Sequence, residues 1–291
     1  MPNLKSIKVR IKSVKSTQKI TQAMKLVAAS KVRRAQARVL SARPYTDKIS
    51  AFIKRTVGAM SLLERQEIPL MVQREVKSVG IIVISSDRGL CGSYNTNILK
   101  TATKRILELK KDGFEPKLIA VGNKANNFFK RTKTEIIETF TQLSAVPSIE
   151  MANLIANSAE KVFINKSVDK IEIVGTDFIS MLRNQVYIKT FLPIIPEEKE
   201  ESNKLQSEVL FEPSLNDVLG SLLPLYLSNI IFHALLEAST SELASRMNAM
   251  SSATKNAKEL IDRLTIVYNK ARQAAITQEL TEIVGGVEAL K

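Results

Sequence analysis

The residues best suited to chemistry lie in the segment "SSDRGLCGSYN", residues 85–95. It follows a short apolar run and precedes a helical pattern, and Gly89 and Gly92 are typical of a turn between them. Exposed backbone N–H groups at such a turn attract anions, so phosphate binding is one interpretation. The segment lacks the Lys-Ser/Thr of a P-loop and the spacing of a dinucleotide fingerprint. We therefore favour a tight strand-to-helix turn that Asp87 caps and in which Cys91 packs as a small apolar side chain.

Elsewhere the sequence contains no arrangement of side chains that predicts catalysis. The single histidine, His233, lies within "NIIFHALL", where the apolar pattern predicts a packed helix position. One histidine cannot form a His-rich metal site, and no nearby serine or cysteine completes a nucleophilic motif. Four acids in the polar linker 196–214 predict a solvated loop instead of a metal site: Glu197, Glu198, Glu200 and Glu201. We therefore predict no catalytic residue, no cofactor and no metal in this chain.

Positive charge is concentrated in the N-terminal part of the chain. The 291 residues include 43 Lys plus Arg and 29 Asp plus Glu, a net charge of +14. Residues 1–55 contain 15 of the bases and one acid, so this segment carries the whole net charge. Such asymmetry indicates a partner for one segment: nucleic acid, an anionic membrane or an acidic protein. Residues 20–40 contain five bases and no acid: Lys25, Lys31, Arg33, Arg34 and Arg38.

Composition excludes several further classes of protein. One cysteine excludes an internal disulfide and favours a reducing compartment. The longest apolar runs, such as "VGIIVI", are too short to cross a bilayer, so we predict no membrane span. The basic, acid-poor start of the chain is also typical of a transit peptide. The helical pattern continues beyond residue 40 without a cleavage-like break, so we favour a structural helix.

Two long segments predict helices, because no glycine or proline occurs between Asn3 and Arg43 or between Leu225 and Val284. The N-terminal apolar positions are Leu4, Ile7, Ile11 and Val14 and, after a slip in the spacing, Ile20, Met24, Val27, Val32, Ala35 and Val39. The C-terminal positions are Leu227, Ile230, Ala234, Ala238, Ser241 and Ser245, then Leu260, Leu264, Val267, Ala271, Ile276, Leu280 and Ile283. The slip indicates that the repeat is not a strict heptad.

Helices of this length need a partner helix to bury their apolar stripes. We therefore predict that the N-terminal helix, residues 1–58, pairs with the C-terminal helix, residues 210–291, as an antiparallel two-stranded coiled coil. The alternative is two unrelated helices in a bundle.

The middle of the chain, residues 75–195, follows a different pattern. Its short apolar runs are "SVGIIVISS" (78–86), "KLIAVG" (117–122), "KIEIVGT" (170–176) and "QVYIKTFLPI" (185–194). Helical patterns separate the first three runs, and such alternation predicts a parallel-type sheet in an α/β domain. The last two runs are close together, so we predict a hairpin through "TDFISMLRNQ".

Four motifs, in order, resemble the gamma-subunit family of F-type ATP synthases of the bacterial type. They are "IKVRIKSVKSTQKITQAMKLVAASKVRRAQ", "SSDRGLCGSYN", "EASTSELASRMNAMSSATKNA" and "YNKARQAAITQELTEIVGGVEAL". The resemblance covers residues 3–290. It implies an α/β fold with long helices, in which an antiparallel coiled coil of the terminal helices joins a central Rossmann-like α/β domain. It further implies a non-catalytic rotor of the central stalk, which couples rotation of the proton-driven membrane c-ring to ATP synthesis or hydrolysis.

The resemblance also implies partners: the alpha and beta subunits of the catalytic ring, the epsilon subunit and the c-ring. The expected location is the cytoplasmic face of the bacterial plasma (inner) membrane, as a peripheral protein. An acidic loop of each beta subunit is expected to pass near Met24. Further positions that match family contacts with the catalytic subunits are Arg246, Arg272, Gln273, Thr277 and Glu279. An apical bearing at the top of the ring would contain Ile283, Val284, Val287 and Leu290.

The resemblance supplies an acidic partner for the basic helix. We expect Lys25, Lys31, Arg33 and Arg34 to face acidic surfaces of the catalytic subunits. Two rival hypotheses are a nucleic-acid-binding coiled-coil protein and a nucleotide-binding enzyme built on the α/β middle. A basic-region binder places its zipper directly after the basic helix, whereas basic and apolar positions share turns here. We therefore predict no nucleic-acid binding.

Overall fold

The computed structural model describes residues 4–144, 146–195 and 215–288. The acidic cluster Glu197–Glu201 lies outside these residues. The helices are α1 (Leu4–Ala59), α2 (Leu62–Glu67), α3 (Tyr94–Lys111), α4 (Asn123–Phe129), α5 (Ile149–Ile164) and α6 (Leu215–Glu288), with a 3-10 turn at Pro69–Met71. The strands are β1 (Ser78–Ile84), β2 (Glu115–Val121), β3 (Glu135–Phe140), β4 (Lys170–Phe178) and β5 (Asn184–Leu192).

The five strands form one sheet in the order β3-β2-β1-β4-β5. The first four are parallel, and β5 runs antiparallel to β4 through the hairpin expected from the sequence. β1 is buried along its whole length, as expected for a parallel strand covered by helices on both faces. The α/β prediction is confirmed, with one omission. The edge strand β3, "EIIETF", is short and half exposed, so it lacks the continuous apolar run that marks the other parallel strands.

The chain divides into two compact units, Ser30–Ser245 and Met1–Ala29 with Arg246–Lys291. In the first unit, apolar side chains cover both faces of the sheet. On one face α5 and the adjoining parts of α1 and α6 contribute Ile155, Ile53 and Leu227 to a common core. On the other face α3 and α4 contribute Ile98 and Phe129 to a second core. Because α1 and α6 supply part of this core, the long helices are integral to the α/β unit.

Within the Ser30–Ser245 unit the two long helices run antiparallel. Near one end of their contact Val32 packs with Leu243 and Ala244. Further along α1, Arg43 forms an ion pair with Glu237 of α6, with 2.9 Å between Nη2 and Oε1. The residue number rises along α1 while that of its partner in α6 falls, which defines an antiparallel pair. The predicted pairing of the terminal helices is confirmed.

The other unit contains the remainder of both helices, and its seam corrects the predicted register. Side chains of reduced exposure recur in α1 at alternating intervals of three and four residues: Leu4, Ile7, Ile11, Val14, Gln18, Thr21, Lys25 and Ala28. The predicted slip is therefore wrong. Ile20 and Val27, assigned to the stripe from the sequence, are 58% and 57% exposed. The heptad continues through polar residues, and hydrophobicity alone cannot detect such positions.

The α6 side of this unit requires the same correction. The inward positions are Met250, Thr254, Ala257, Ile261, Leu264, Tyr268 and Ala271. The predicted stripe residues Leu260, Val267 and Ile276 are exposed instead. A hydrogen bond of 2.8 Å joins the hydroxyl oxygens of Thr254 and Thr21 across the seam. Polar pairs of this kind fix the register of a coiled coil at some cost in stability.

One feature of α6 differs from the expectation drawn from apolar run lengths. By length and composition, an 18-residue window within Asp217–Gly286 is apolar enough to cross a membrane, with a mean hydropathy of 1.6. Half of that window is buried inside the structure. Core helices of soluble proteins satisfy the same criterion, so this window is weak evidence for a membrane span.

Candidate functional site

The turn after β1 contains the side chains that the sequence marked as candidates for anion binding. The Asp87 carboxylate accepts hydrogen bonds from the backbone N–H groups of Asn123, at 2.7 Å, and Leu143. The hydroxyl of Ser85 accepts a third, from the N–H of Ala125, at 2.8 Å. Asn123 and Ala125 belong to the first turn of α4, where free N–H groups attract anions. The chain's own oxygen atoms therefore occupy the place that a phosphate would need.

This geometry confirms the interpretation of the segment as a structural turn and refines it. Cys91 is buried and packs as an apolar side chain, as predicted. Asp87 does not cap its own turn. Its two donors, the N–H groups of Asn123 and Leu143, lie 36 and 56 residues further along the chain, so Asp87 caps α4 and a distant loop. Gly92 lies in the predicted turn with a positive φ of 59°, and Leu90 also has a positive φ, 62°. No sequence signal indicates the left-handed conformation of Leu90.

The residues proposed to contact the catalytic subunits fall into two groups. Met24, Lys25 and Arg246 are half-buried beside the helix seam. The others are exposed on α1 or α6: Lys31, Arg33, Arg34, Arg272, Gln273, Thr277 and Glu279. Within the ranges that the structure describes, no carboxylate forms an ion pair with Lys31, Arg33 or Arg34. The carboxylates that the structure describes therefore leave these three cations un-neutralised.

The residues of the proposed apical bearing lie at the C-terminal end of α6. Ile283 and Val284 are 64% and 65% exposed. The side chain of Val287 and the whole of Leu290 lie outside the described residues. In an antiparallel pair the facing residue numbers have a constant sum, so Thr21 opposite Thr254 places Leu4 opposite residue ~271. The described part of α1 therefore has no residue opposite Ile283 and Val284, which accounts for their exposure.

A buried ionic cluster lies where α1, α6 and the end of β4 meet, within the Ser30–Ser245 unit. Glu237 of α6 has a side chain only 2% exposed. One oxygen accepts a hydrogen bond from Arg43 at 2.9 Å, and the other accepts the backbone N–H of Phe178 at 2.7 Å. His233 Nε2 lies 3.6 Å from the first oxygen and has no hydrogen-bond partner among the described residues. Sequence reasoning identified the half-buried His233 as a packed residue and missed Glu237.

The only signal for this cluster was the spacing of His233 and Glu237, which places them one helical turn apart. That spacing is common on ordinary helix surfaces and does not predict a buried site. The other two members, Arg43 and Phe178, lie 194 and 59 residues from Glu237 in sequence. Their meeting depends on the topology of the sheet and the register of the two helices.

We expect the stability of the chain to fall on acidification because of His233. Burial lowers the pKa of its imidazole; among the charges, Glu237 raises that pKa, Arg43 lowers it, and Asp177 and Asp47 raise it, with burial the largest effect. The folded pKa therefore lies below the unfolded pKa of ~6.5, and the unfolded state binds more protons between them. The free energy of unfolding decreases as pH falls through this window and then levels off.

Urea unfolding of the purified chain between pH 7.5 and 5 measures this dependence. The His233→Asn variant, which cannot titrate in this range, should lose less stability than the parent chain over the same interval. Equal pH dependence in the two chains would show that other groups, and not His233, account for the acid sensitivity.

The comparisons with known proteins agree on one family. A family model described as ATP synthase matches residues 3–290. The ATP synthase gamma chain of Trichormus variabilis is 45% identical, and that of Cyanothece sp. is 44% identical; each alignment covers 100% of both chains. The first alignment has 317 positions, more than the 291 residues of this chain, so the relative contains residues without a counterpart here.

Two solved structures have a similar fold. A chain of the Tetrahymena thermophila mitochondrial ATP synthase central stalk and c-ring has a TM-score of 0.63 and 25% identity, with 80% of this chain and 99% of that chain covered. A chain of the Euglena gracilis mitochondrial ATP synthase has a TM-score of 0.70 and 19% identity, with 99% and 94% covered. The long paired helices, the five-stranded sheet and the full-length match together show that the chain belongs to the gamma-chain family of F-type ATP synthases.

Proposed function

We propose that this chain is the central-stalk rotor that couples rotation of the proton-driven c-ring to ATP synthesis or hydrolysis on a surrounding ring of alpha and beta subunits. The observation that carries the proposal is the contrast between the two sides of the long helices. Their inner side forms a heptad seam, whereas their outer side carries cations that pair with none of the described carboxylates, such as Arg33 and Arg34. In this proposal residues 1–58 and 210–291 form the shaft, and residues 75–195 form the domain at its base.

A rotor has to engage its stator briefly and differently at each angle. Exposed ion pairs are worth only ~0–1 kcal/mol each, so contacts made by single surface cations are easily exchanged as a shaft turns. A continuous apolar seam with the stator would bind tightly at one angle. We assign the changing contacts to Met24, Lys25, Lys31, Arg33, Arg34, Arg246, Arg272, Gln273, Thr277 and Glu279. We assign the bearing at the top of the ring to Ile283, Val284, Val287 and Leu290.

The same proposal places the epsilon subunit and the membrane c-ring against the base of the rotor. The chain would then be a peripheral protein on the cytoplasmic face of the bacterial plasma membrane, held there by its partners and without a span of its own. The similar Tetrahymena thermophila chain belongs to a central stalk with a c-ring, which supports the proposed contact with the c-ring.

We also propose that the chain itself is not catalytic. Asp87, Ser85 and the carbonyl of Ser86 accept from the N–H groups of Asn123, Ala125 and Lys124 at the start of α4, where a phosphate would otherwise bind. In addition, the described residues contain no group of three His, Cys, Asp or Glu side chains that could hold a metal ion. Chemistry is assigned to the beta subunits, which the rotor drives through their conformational states.

Affinity purification of the tagged chain from its own cells tests the proposal. We expect alpha, beta, epsilon and c subunits to co-purify, with ATP hydrolysis in the complex and none by the purified chain alone. Hydrolysis by the isolated chain above background would contradict the non-catalytic assignment. Recovery of no ATP synthase subunit, together with salt-dependent binding to DNA, would instead favour a nucleic-acid-binding protein.

A further inference from the structure

We propose that Glu237 is a positioning residue that transmits torque between the α/β sheet and the paired long helices. The inference rests on the proposed rotor function and assigns a mechanical role to one side chain. Glu237 lies on α6, its charged partner Arg43 lies on α1, and its second donor is the backbone N–H of Phe178 at the end of β4. One carboxylate therefore holds three elements that have to turn together.

The hydrogen bonds of Glu237 can transmit torque because they depend on direction. Apolar packing is non-directional: it resists separation of two elements but resists sliding and rotation less. Hydrogen bonds to a charged group are short and depend strongly on geometry. The two bonds of Glu237, 2.9 and 2.7 Å long, therefore oppose rotation of α6 about its own axis relative to α1 and to β4.

Neighbouring contacts strengthen the connection that Glu237 makes between the sheet and the two helices. Phe178 packs with Val32 of α1 and Leu243 of α6 in a small separate core. On the far side of the β4–β5 hairpin, the amide of Asn184 donates a 2.8 Å hydrogen bond to the hydroxyl of Ser245. The hairpin is thus bonded to α6 at both of its strands. A twist applied to the sheet would reach the helices through these directional contacts as well as through the apolar core that both helices share with the sheet.

A comparison with the other buried carboxylate in the described part of the chain shows what is particular to Glu237. Glu172 of β4 is similarly buried and binds two cations, Arg105 of α3 and Lys170 of β4 itself, through three bonds of 2.8 Å. Both of its partners belong to the α/β domain. Glu172 therefore stabilises the domain internally, whereas Glu237 connects the domain to both long helices.

The test uses the assembled enzyme and compares Glu237→Gln with the matched control Glu172→Gln. Each substitution removes the charge of a buried carboxylate and keeps the shape of the side chain. We expect both variants to unfold at lower temperature than the parent. Only Glu237→Gln is expected to lower the ratio of protons pumped to ATP hydrolysed severalfold, and to broaden the angular fluctuations of the shaft in single-molecule rotation.

Two further variants keep the test decisive. Arg43→Gln removes the partner, which is 43% exposed and so tolerates substitution better; it should reproduce the loss of coupling if Glu237→Gln fails to assemble. The double variant should be no worse coupled than either single one, because each of them removes the ion pair between Glu237 and Arg43. Parent-like coupling and fluctuations in the assembled Glu237→Gln or Arg43→Gln enzyme would overturn the proposal. Failure of the parent chain to assemble with alpha and beta subunits would instead refute the rotor function.

Discussion

Replacing Gly122 with alanine is expected to remove a large part of the stability of the α/β domain. Gly122 follows β2 and has φ 93° and ψ 145°, a backbone region that is essentially confined to glycine. A Cβ at this position would lie 2.4 Å from the carbonyl oxygen and 2.7 Å from the hydroxyl of Ser85. The backbone conformation alone costs ~1–3 kcal/mol, and the clash with a backbone atom adds to that cost. A domain of ordinary stability, ~5–15 kcal/mol, would lose a large part of it.

Gly113→Ala is a matched control for this substitution. Gly113 has a similar φ of 85°, but nothing lies within 4 Å of the Cβ that alanine would add. The Gly113→Ala substitution therefore introduces backbone strain without a clash, and we expect the free energy of unfolding to fall by ~1–2 kcal/mol. Urea unfolding of the two variants and the parent separates the effects. If the two substitutions were equally costly, the close approach to Ser85 would have no energetic consequence.

The close approach at Gly122 explains how the turn after β1 excludes an anion. The Ser85 hydroxyl reaches the N–H of Ala125 only because the chain comes so near at Gly122. The N–H of Gly122 in turn donates to the carbonyl of Phe140 on β3, at 2.7 Å. Loss of this arrangement would release the first turn of α4 from Asp87. The sequence identified Gly122 only as the end of an apolar run, since a contact 37 residues away leaves no local pattern.

The general fold could be predicted because it depends on regular patterns. Continuous apolar runs mark β1, β2 and β4, and long stretches without glycine or proline mark α1 and α6. The register of the helix pair could not be predicted, since Thr21 and Thr254 are polar residues in a seam where the pattern requires apolar ones. The sequence pattern placed the hydrophobic residues Ile20 and Val27 in this seam, but both are exposed in the structure.

The candidate site was predictable only in part, for a related physical reason. Positive charge at Lys31, Arg33 and Arg34 is visible in the sequence because unpaired bases accumulate without nearby acids. Glu237 was not visible, because its role depends on partners from other elements. A concentration of exposed charge can thus be recognised from the local composition of the sequence. Contacts inside the chain, such as those of Glu237, depend on the topology of the fold and are seen only in the three-dimensional structure.

Reversal of three exposed charges, Lys31→Glu, Arg33→Glu and Arg34→Glu together, is expected to disturb coupling and leave the fold intact. The three side chains are exposed and form no ion pair with the described carboxylates, so their reversal breaks no ion pair within the described residues. Lys25 is omitted because it is half-buried at a seam position, where reversal would also disturb helix pairing. Under the proposed rotor function, the new acids would face acidic surfaces of the catalytic subunits in the assembled enzyme. Repulsion would replace attraction at each step of rotation.

The salt dependence distinguishes this effect from damage to the structure. Each exposed pair is worth ~0–1 kcal/mol, so single reversals should have little effect and the triple variant a large one. At low salt we expect reduced ATP-driven proton pumping. The defect should shrink as salt rises, since the screening length falls from ~10 Å at 0.1 M to ~3 Å at 1 M ionic strength. A structural defect would persist at all salt concentrations.

A control with the same change in net charge shows whether position matters. Lys130, Arg131 and Lys133 are exposed in the turn between α4 and β3 and belong to neither long helix. Their joint reversal to glutamate should leave pumping, hydrolysis and their salt dependence close to those of the parent enzyme. If the triple variant on α1 assembled, hydrolysed ATP and pumped protons like the parent at low salt, the basic helix would serve some other partner. Because the net charge of +14 resides in residues 1–55, that result would reopen the question of what this charge binds.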